Sequence, residues 1–192
     1  MLVLASASPR RQELLRNADI AFTVQAAAVS EVPFAGESPK DCAERLAGEK
    51  ARAVARLRPH DLVLGADTIV VVDGLMLGKP RDPADAARML GLLSGRAHEV
   101  ITGVCLMGPG KSATTPAFED TRSESTRVVM QRLSERDLAS YVSSDEPVDK
   151  AGAYAIQGIA SRWLSRIEGD YFNVVGLPVA LVFRMLREHG SI

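Results

Sequence analysis

Six consecutive residues, Ser6-Ala7-Ser8-Pro9-Arg10-Arg11, gather two hydroxyls and two guanidinium groups. Leu2 to Ala5 reads as a short buried strand leading into them, and Pro9 takes the preferred first position of a helix capped by Ser8. Free backbone N–H groups, the positive end of the helix dipole and Arg forks would converge there, the arrangement that holds phosphate. A capped helix with solvated arginines is the plainer alternative, although it sets basic residues against the dipole. Both readings stay open on these residues alone.

Asp67 lies in the middle of LVLGADTIVVV, the strongest strand signal in the chain. An ionised carboxylate there is costly unless paired or bound to a metal. A nearby hard cation would keep it charged, and burial would raise its basicity. A strand-end carboxylate turned to solvent is the bland reading, with Gly65 marking a bulge. Glu31, in the loop after the first helix–strand unit, is a candidate second oxygen ligand; in isolation it reads as a solvated loop residue. Lys50 shares an apolar helical stripe with Leu46, Val54 and Leu57, so its ammonium needs a partner such as a substrate phosphate, or must snorkel to water. Lys79, in Gly78-Lys79-Pro80, could reach the same phosphates.

The elements that must position these groups alternate in type. Ser38-Pro39 opens a helix running to about Leu57, with Asp41 completing a capping-box pattern. Leu62 to Val72 is a strand, and Asp73-Gly74 is a hairpin turn into Leu75–Leu77. Asp82-Pro83 opens a helix that Ser94-Gly95 ends. Strands follow at about His98–Met107 and Ser125–Met130, separated by a Gly-, Pro-, Ser- and Thr-rich loop at 108–118. Ser134 caps a further helix, and the last runs from near Pro178 to Gly190. Hairpins mixed with strand–helix units predict a mixed α/β sheet.

Composition narrows the field. The 192 residues are 46% apolar and 24% charged, with a net charge of -1, so no global field draws nucleic acid or membrane. No RNP motif or aromatic stacking stripe supports RNA binding. Cys42 and Cys105 lack CxxC spacing and suit reduced thiols in a cytosol. The N-terminal LVLASA stretch lacks a basic leading segment and is too short for a signal peptide. Val174 to Phe183 carries Gly176 and Pro178 and is half a membrane span. Gly110-Lys111-Ser112 ends like a phosphate-binding loop, but Cys105 stands where that motif needs glycine. His60, His98 and His189 lack metal-ligand spacing and are expected to be structural or exposed.

Taken in order, ASASPRR, EKARA, GADTIV, GKP, LSGRAHEVITGV, DKAGAYAIQG and GDYFNVVGLP resemble the Maf family from Leu4 to about Leu186. The resemblance implies one domain over residues 1–192 and an α/β fold of the Maf/inosine-triphosphatase-like kind: a mixed twisted sheet flanked by helices, in two lobes around a central cleft. It implies a divalent metal cation, Mg²⁺ or Mn²⁺, and hydrolysis of a small-molecule nucleotide between its α- and β-phosphates. Asp67 would be the proton acceptor, with Glu31 and Asp67 as metal ligands and Ser8, Arg11, Lys50 and Lys79 on phosphate. Arg10, Thr68 and Gln157 match the specificity positions of the dTTP/UTP branch; the 7-methyl-GTP branch has Trp after Ser-Pro and another segment in place of AYAIQG. One Gln amide can both donate to and accept from a pyrimidine edge. Modified pyrimidine triphosphates are further expected substrates. Ala155, Trp163 and a long 108–118 loop depart from the family pattern and bear on pocket shape.

The expected location is the cytoplasm, with neither nucleic acid nor membrane as partner, and a homodimer is expected on base rates. A nucleotide-binding regulator of cell division that does not hydrolyse is the rival reading. Against it, a pure sensor has no need of Asp67 and Glu31.

Overall fold

The run LVLGADTIVVV forms β3 (Leu62–Val72), with nine of its residues buried and Thr68 and Val71 half-buried. Such continuous burial is what a strand inside an α/β sheet requires. β1 (Leu2–Leu4) lies parallel to it in the register Leu2↔Leu62 to Leu4↔Leu64, and β2 (Thr23–Val24) adds a parallel edge beyond β1. Asp73 and Gly74 both take positive φ, 48° and 78°, and turn the chain into antiparallel β4 (Leu75–Leu77). β5 (Ala97–Met107), β6 (Glu119–Met130) and β7 (Leu164–Glu168) complete a seven-stranded mixed sheet. Its order is β2-β1-β3-β5-β6-β7, with β4 on β3 outside that path. This computed structural model describes residues 1–110, 117–144 and 146–192.

The chain divides into two compact units. The first is Met1–Asp67, Thr102–Glu124 and Gly176–Ile192; the second is Thr68–Ile101 and Ser125–Val175. The first carries α1 (Pro9–Asn17), α2 (Pro39–Ala55) and α6 (Val179–Glu188), and packs Val3, Ala47, Ala51, Val54, Val63 and Met107 together. The second carries α3 (Pro83–Leu93), α4 (Glu135–Val142), α5 (Tyr171–Val175) and two 3₁₀ turns, Ala151–Ala153 and Ile159–Trp163. Its core includes Val70, Leu90, Leu93, Val128, Met130 and Tyr141. Each fully buried Leu, Val or Met contributes about 1.5–3 kcal/mol over leaving it in water.

Glycine sets how closely α2 approaches the sheet. A Cβ at Gly65 of β3 would run into the Ala47 carbonyl oxygen, and one at Gly103 of β5 would run into the Ala43 carbonyl. Gly65 is therefore a point of close helix–strand approach and not the bulge that would have turned Asp67 to solvent. The approach brings the Lys50 face of α2 onto the Asp67 end of β3.

Local caps depart from expectation in two places. Ser8 makes no side-chain cap to α1; its own N–H donates to Ser6 Oγ at 3.2 Å. Ser38 Oγ accepts from the Asp41 N–H at 3.1 Å and donates to Asp41 Oδ2 at 2.6 Å, so that carboxylate meets the hydroxyl and the pattern is not a reciprocal box. A reciprocal box forms at Ser134 and Asp137 on α4. Ala18 is the half-buried C-cap of α1. β6 starts at Glu119 rather than near Ser125, because the sheet ladder extends through a polar stretch that lacks apolar alternation. Residues 111–116 of the expected 108–118 loop lie outside the described residues; its flanks are tied by the Gly108 N–H to the Phe118 carbonyl at 3.0 Å.

Candidate active site

Two carboxylates and two cations converge in the first unit. α2 presents Lys50 from a buried position, and its ammonium donates to Asp67 Oδ1 and to Glu31 Oε1, each at 2.5 Å. Asp67 is 7% exposed, so the ion pair is what makes an ionised carboxylate tolerable in β3. The snorkelling reading of Lys50 is thereby corrected: the ammonium reaches inward because α2 lies close enough for two carboxylates to receive it. Glu31 is the exposed member, with its side chain 41% accessible.

Its loop is held from α2 as well. Arg45 donates to Glu37 through Nε at 2.5 Å and Nη2 at 2.8 Å, and to the Val32 carbonyl at 3.2 Å. The same guanidinium lies 3.9 Å from the centre of the Phe34 ring. The Arg45 hydrogen bonds hold the Glu37 carboxyl down at about 2. A loop that reads as plain surface is thus fastened at three points beside Glu31.

Arg11 is the fourth charge. Its Nε donates to the Gly176 carbonyl at 2.8 Å, and Nη1 donates to the Ala66 carbonyl at 2.9 Å and to Ser6 Oγ at 3.1 Å. Burial lowers the guanidinium pKa, while the charges of Asp67 and Glu31 act to raise it. Arg11 therefore ties α1 to the backbone immediately before Asp67 and to the chain entering α6. Ser8 and Arg10 sit half-buried at the start of α1. Ser6, one of the two hydroxyls of the opening motif, is 7% exposed and bonded to both Arg11 and the Ser8 N–H, a role its sequence context does not reveal. A hydroxyl ending a short strand looks like any turn serine until its partners are known.

The remaining predicted residues belong to the second unit. Thr68 is half-buried in β3, Lys79 is exposed after β4, and Gln157 is exposed in a turn closed by the Gly158 N–H to the Ala155 carbonyl at 3.2 Å. The Lys79 and Gln157 segments are joined through the Gly152 N–H, which donates to the Gly78 carbonyl at 3.0 Å. Gly152 takes φ 68°, and a Cβ there would crowd Val70, so both conformation and space call for glycine in DKAGAYAIQG. Tyr154 anchors the segment through a 2.8 Å hydrogen bond to His98 Nε2. His98 is buried, and burial pushes its pKa down to about 4, so the imidazole is neutral at ordinary pH. The GDYFN motif is structural: Asn173 donates to the Val100 carbonyl and to Thr126 Oγ1 at 2.9 and 3.0 Å, and Thr126 bonds the Asp170 backbone.

No three His, Cys, Asp or Glu side chains among the described residues gather as a ready metal cage. Two carboxylates directed at one cation do suit a hard divalent ion, which commonly takes one or two carboxylates and completes its shell with water and substrate phosphate. Glu31 and Asp67 fit that role in donor type and in convergence on a common point.

The fold is thus that of a mixed-sheet α/β protein whose first unit gathers two carboxylates, a lysine and an arginine around the end of α2 and β3. The chain belongs to the Maf family: the family model described as Maf-like protein matches residues 1–189. A dTTP/UTP pyrophosphatase from Koribacter versatilis (strain Ellin345) is 58% identical over 189 residues, covering 98% of this chain and 94% of that protein. A dTTP/UTP pyrophosphatase from Syntrophomonas wolfei subsp. wolfei is 50% identical over 188 residues, covering 98% and 97%. A solved HAM1 protein from Coxiella burnetii is a looser likeness, at 20% identity and a TM-score of 0.45 over 69% of this chain and 73% of its own, too distant to argue from.

Proposed function

We propose that this chain hydrolyses dTTP and UTP to the nucleoside monophosphate and pyrophosphate. The observation that carries the reading is the buried Asp67 carboxylate held by Lys50 beside Glu31. Family membership and the two relatives named above support the substrate class. Asp67 accepts a proton from water as the water oxygen bonds to the α-phosphorus. The bond from that phosphorus to the α–β bridging oxygen breaks, and pyrophosphate leaves with the bridging oxygen. Lys50 holds the Asp67 carboxylate in place before reaction and supplies positive charge next to the reacting phosphate.

Arg11 fixes the backbone at Ala66, so that Asp67 is pre-positioned. Ser8, Arg10, Lys79 and the α1 N-terminus are assigned to phosphate, and Thr68 and Gln157, with Arg10, to the pyrimidine end. A Mg²⁺ or Mn²⁺ ion held by Glu31 and Asp67 would neutralise phosphate charge and lower the pKa of bound water. We place the activity in the cytoplasm; among the described residues no helix is long and apolar enough to cross a membrane. Hydrolysis in ¹⁸O-labelled water tests the reaction. Label in the monophosphate and none in pyrophosphate is the expected result; label in pyrophosphate, or release of inorganic phosphate, would refute attack at the α-phosphorus.

A further inference from the structure

The Gln157 turn is held from outside its own motif. Glu146, in the segment after α4, directs its carboxylate at the backbone that follows Gln157. Oε2 accepts from the Ile159 N–H at 2.7 Å, and Oε1 accepts from the Ala160 N–H at 3.2 Å. Oε1 also accepts from the Tyr141 hydroxyl at 2.8 Å. Tyr141 is 1% exposed and packs edge-on to Trp163, with ring centres 5.5 Å apart. The carboxylate is thus fixed from below by a buried phenol and caps the two N–H groups that open the Ile159–Trp163 turn. A Cβ at Gly158 would overlap this carboxylate, so a side chain there would push Glu146 off its two N–H partners.

We infer that Glu146 is a positioning residue for base discrimination, fixing the Gln157-Gly158 corner so that the exposed Gln157 amide is presented in one orientation. The inference rests on the reading of Gln157 as the group that meets the pyrimidine. Two charge-assisted backbone bonds on consecutive N–H groups leave the turn little freedom at its exit, while the Gly158 N–H to Ala155 carbonyl bond closes its entrance. A side chain that must discriminate by hydrogen bonds loses selectivity when its backbone wanders. Glu146 itself touches no base in this scheme; it acts through Gln157.

Kinetics with dTTP, together with product inhibition, separate this role from a structural one. Gln157→Ala should raise the dTTP KM and the dTMP inhibition constant about tenfold, the loss expected for one or two hydrogen bonds. Glu146→Gln should raise both about fivefold, with kcat within about twofold and pyrophosphate inhibition unchanged, and should add nothing in the Gln157→Ala background. Gly158→Ala, which displaces the carboxylate while leaving Glu146 in place, should reproduce the Glu146→Gln pattern and serves as the test if that variant does not fold. Equal weakening of dTMP and pyrophosphate, or a full additional effect on top of Gln157→Ala, would overturn the positioning role. If Gln157→Ala leaves dTMP binding intact, the reading of Gln157 fails first and the inference falls with it.

Discussion

The two units solve opposite problems. Near Asp67 the first unit concentrates formal charge, with Arg11 and Lys50 set against Glu31 and Asp67, and holds it with short ionic contacts. Around Gln157 the second unit relies on backbone amides, a phenol and a neutral imidazole, with Glu146 as an anionic clasp. Moving a phosphoryl group needs fixed charge where charge develops. Reading a base needs a few well-placed neutral donors and acceptors on a rigid turn. The charged cluster should therefore govern kcat and respond to loss of a single charge, whereas the neutral cluster should govern KM and respond to loss of shape.

Four experiments, taken from the largest effect downward, put that contrast at risk. The largest effect belongs to Asp67→Asn, which should lower kcat by about 10²–10⁴-fold with the fold intact by circular dichroism. A variant that retains most of its turnover would remove the charged cluster from the mechanism. Next, Lys50→Met leaves a buried Asp67 without its nearest cation. Urea unfolding in chelator should then report a loss of about 3 kcal/mol, with added Mg²⁺ restoring part of it. Lys79→Met, at an exposed position, should change stability little; equal losses for the two would contradict the special standing of Lys50.

The third concerns acid. His98 has a folded pKa of about 4 against an ordinary 6.5, so between those values the unfolded chain binds a proton that the folded one does not. Stability conferred by the neutral ring is present above pH 6.5 and falls as pH drops toward 4, by up to roughly 3 kcal/mol. The difference in unfolding free energy between wild type and His98→Asn should therefore slope across that window and be flat above it. A parallel pair of curves would show that His98 is not buried in its neutral form. The smallest effect is Tyr154→Phe, which deletes the hydroxyl bonded to His98 and should cost about 1 kcal/mol by thermal unfolding, with the dTTP KM rising more than kcat falls.

Much of this was readable from the chain. The β3 run, the Asp73-Gly74 turn and the caps at Ser38, Asp82 and Ser134 announced themselves through local chemistry that tertiary context did not override. β2, β7 and α5 did not, because two to five residues with mixed exposure carry no period. At the site, a buried carboxylate in a strand and a lysine on an apolar stripe each demanded a partner, and they proved to be each other's. Sequence could not pair them, since the pairing depends on the close approach of α2 at Gly65. The roles of Ser6 and Glu146 were hidden for the same reason: a small hydroxyl and a loop glutamate gain them only from partners that the fold supplies, Arg11 in one case and Ile159, Ala160 and Tyr141 in the other.

Release of pyrophosphate from pyrimidine triphosphates through the Asp67 cluster is open to a direct assay. Pyrophosphate release from dTTP, UTP, CTP, GTP, ATP and 7-methyl-GTP, each with Mg²⁺ or Mn²⁺, tests it most directly when wild type and Asp67→Asn are run side by side. Release should be confined to dTTP and UTP and lost in the variant. Release chiefly from 7-methyl-GTP would contradict the assignment of Arg10, Thr68 and Gln157, and tight nucleotide binding with no release under any metal would contradict the enzyme itself.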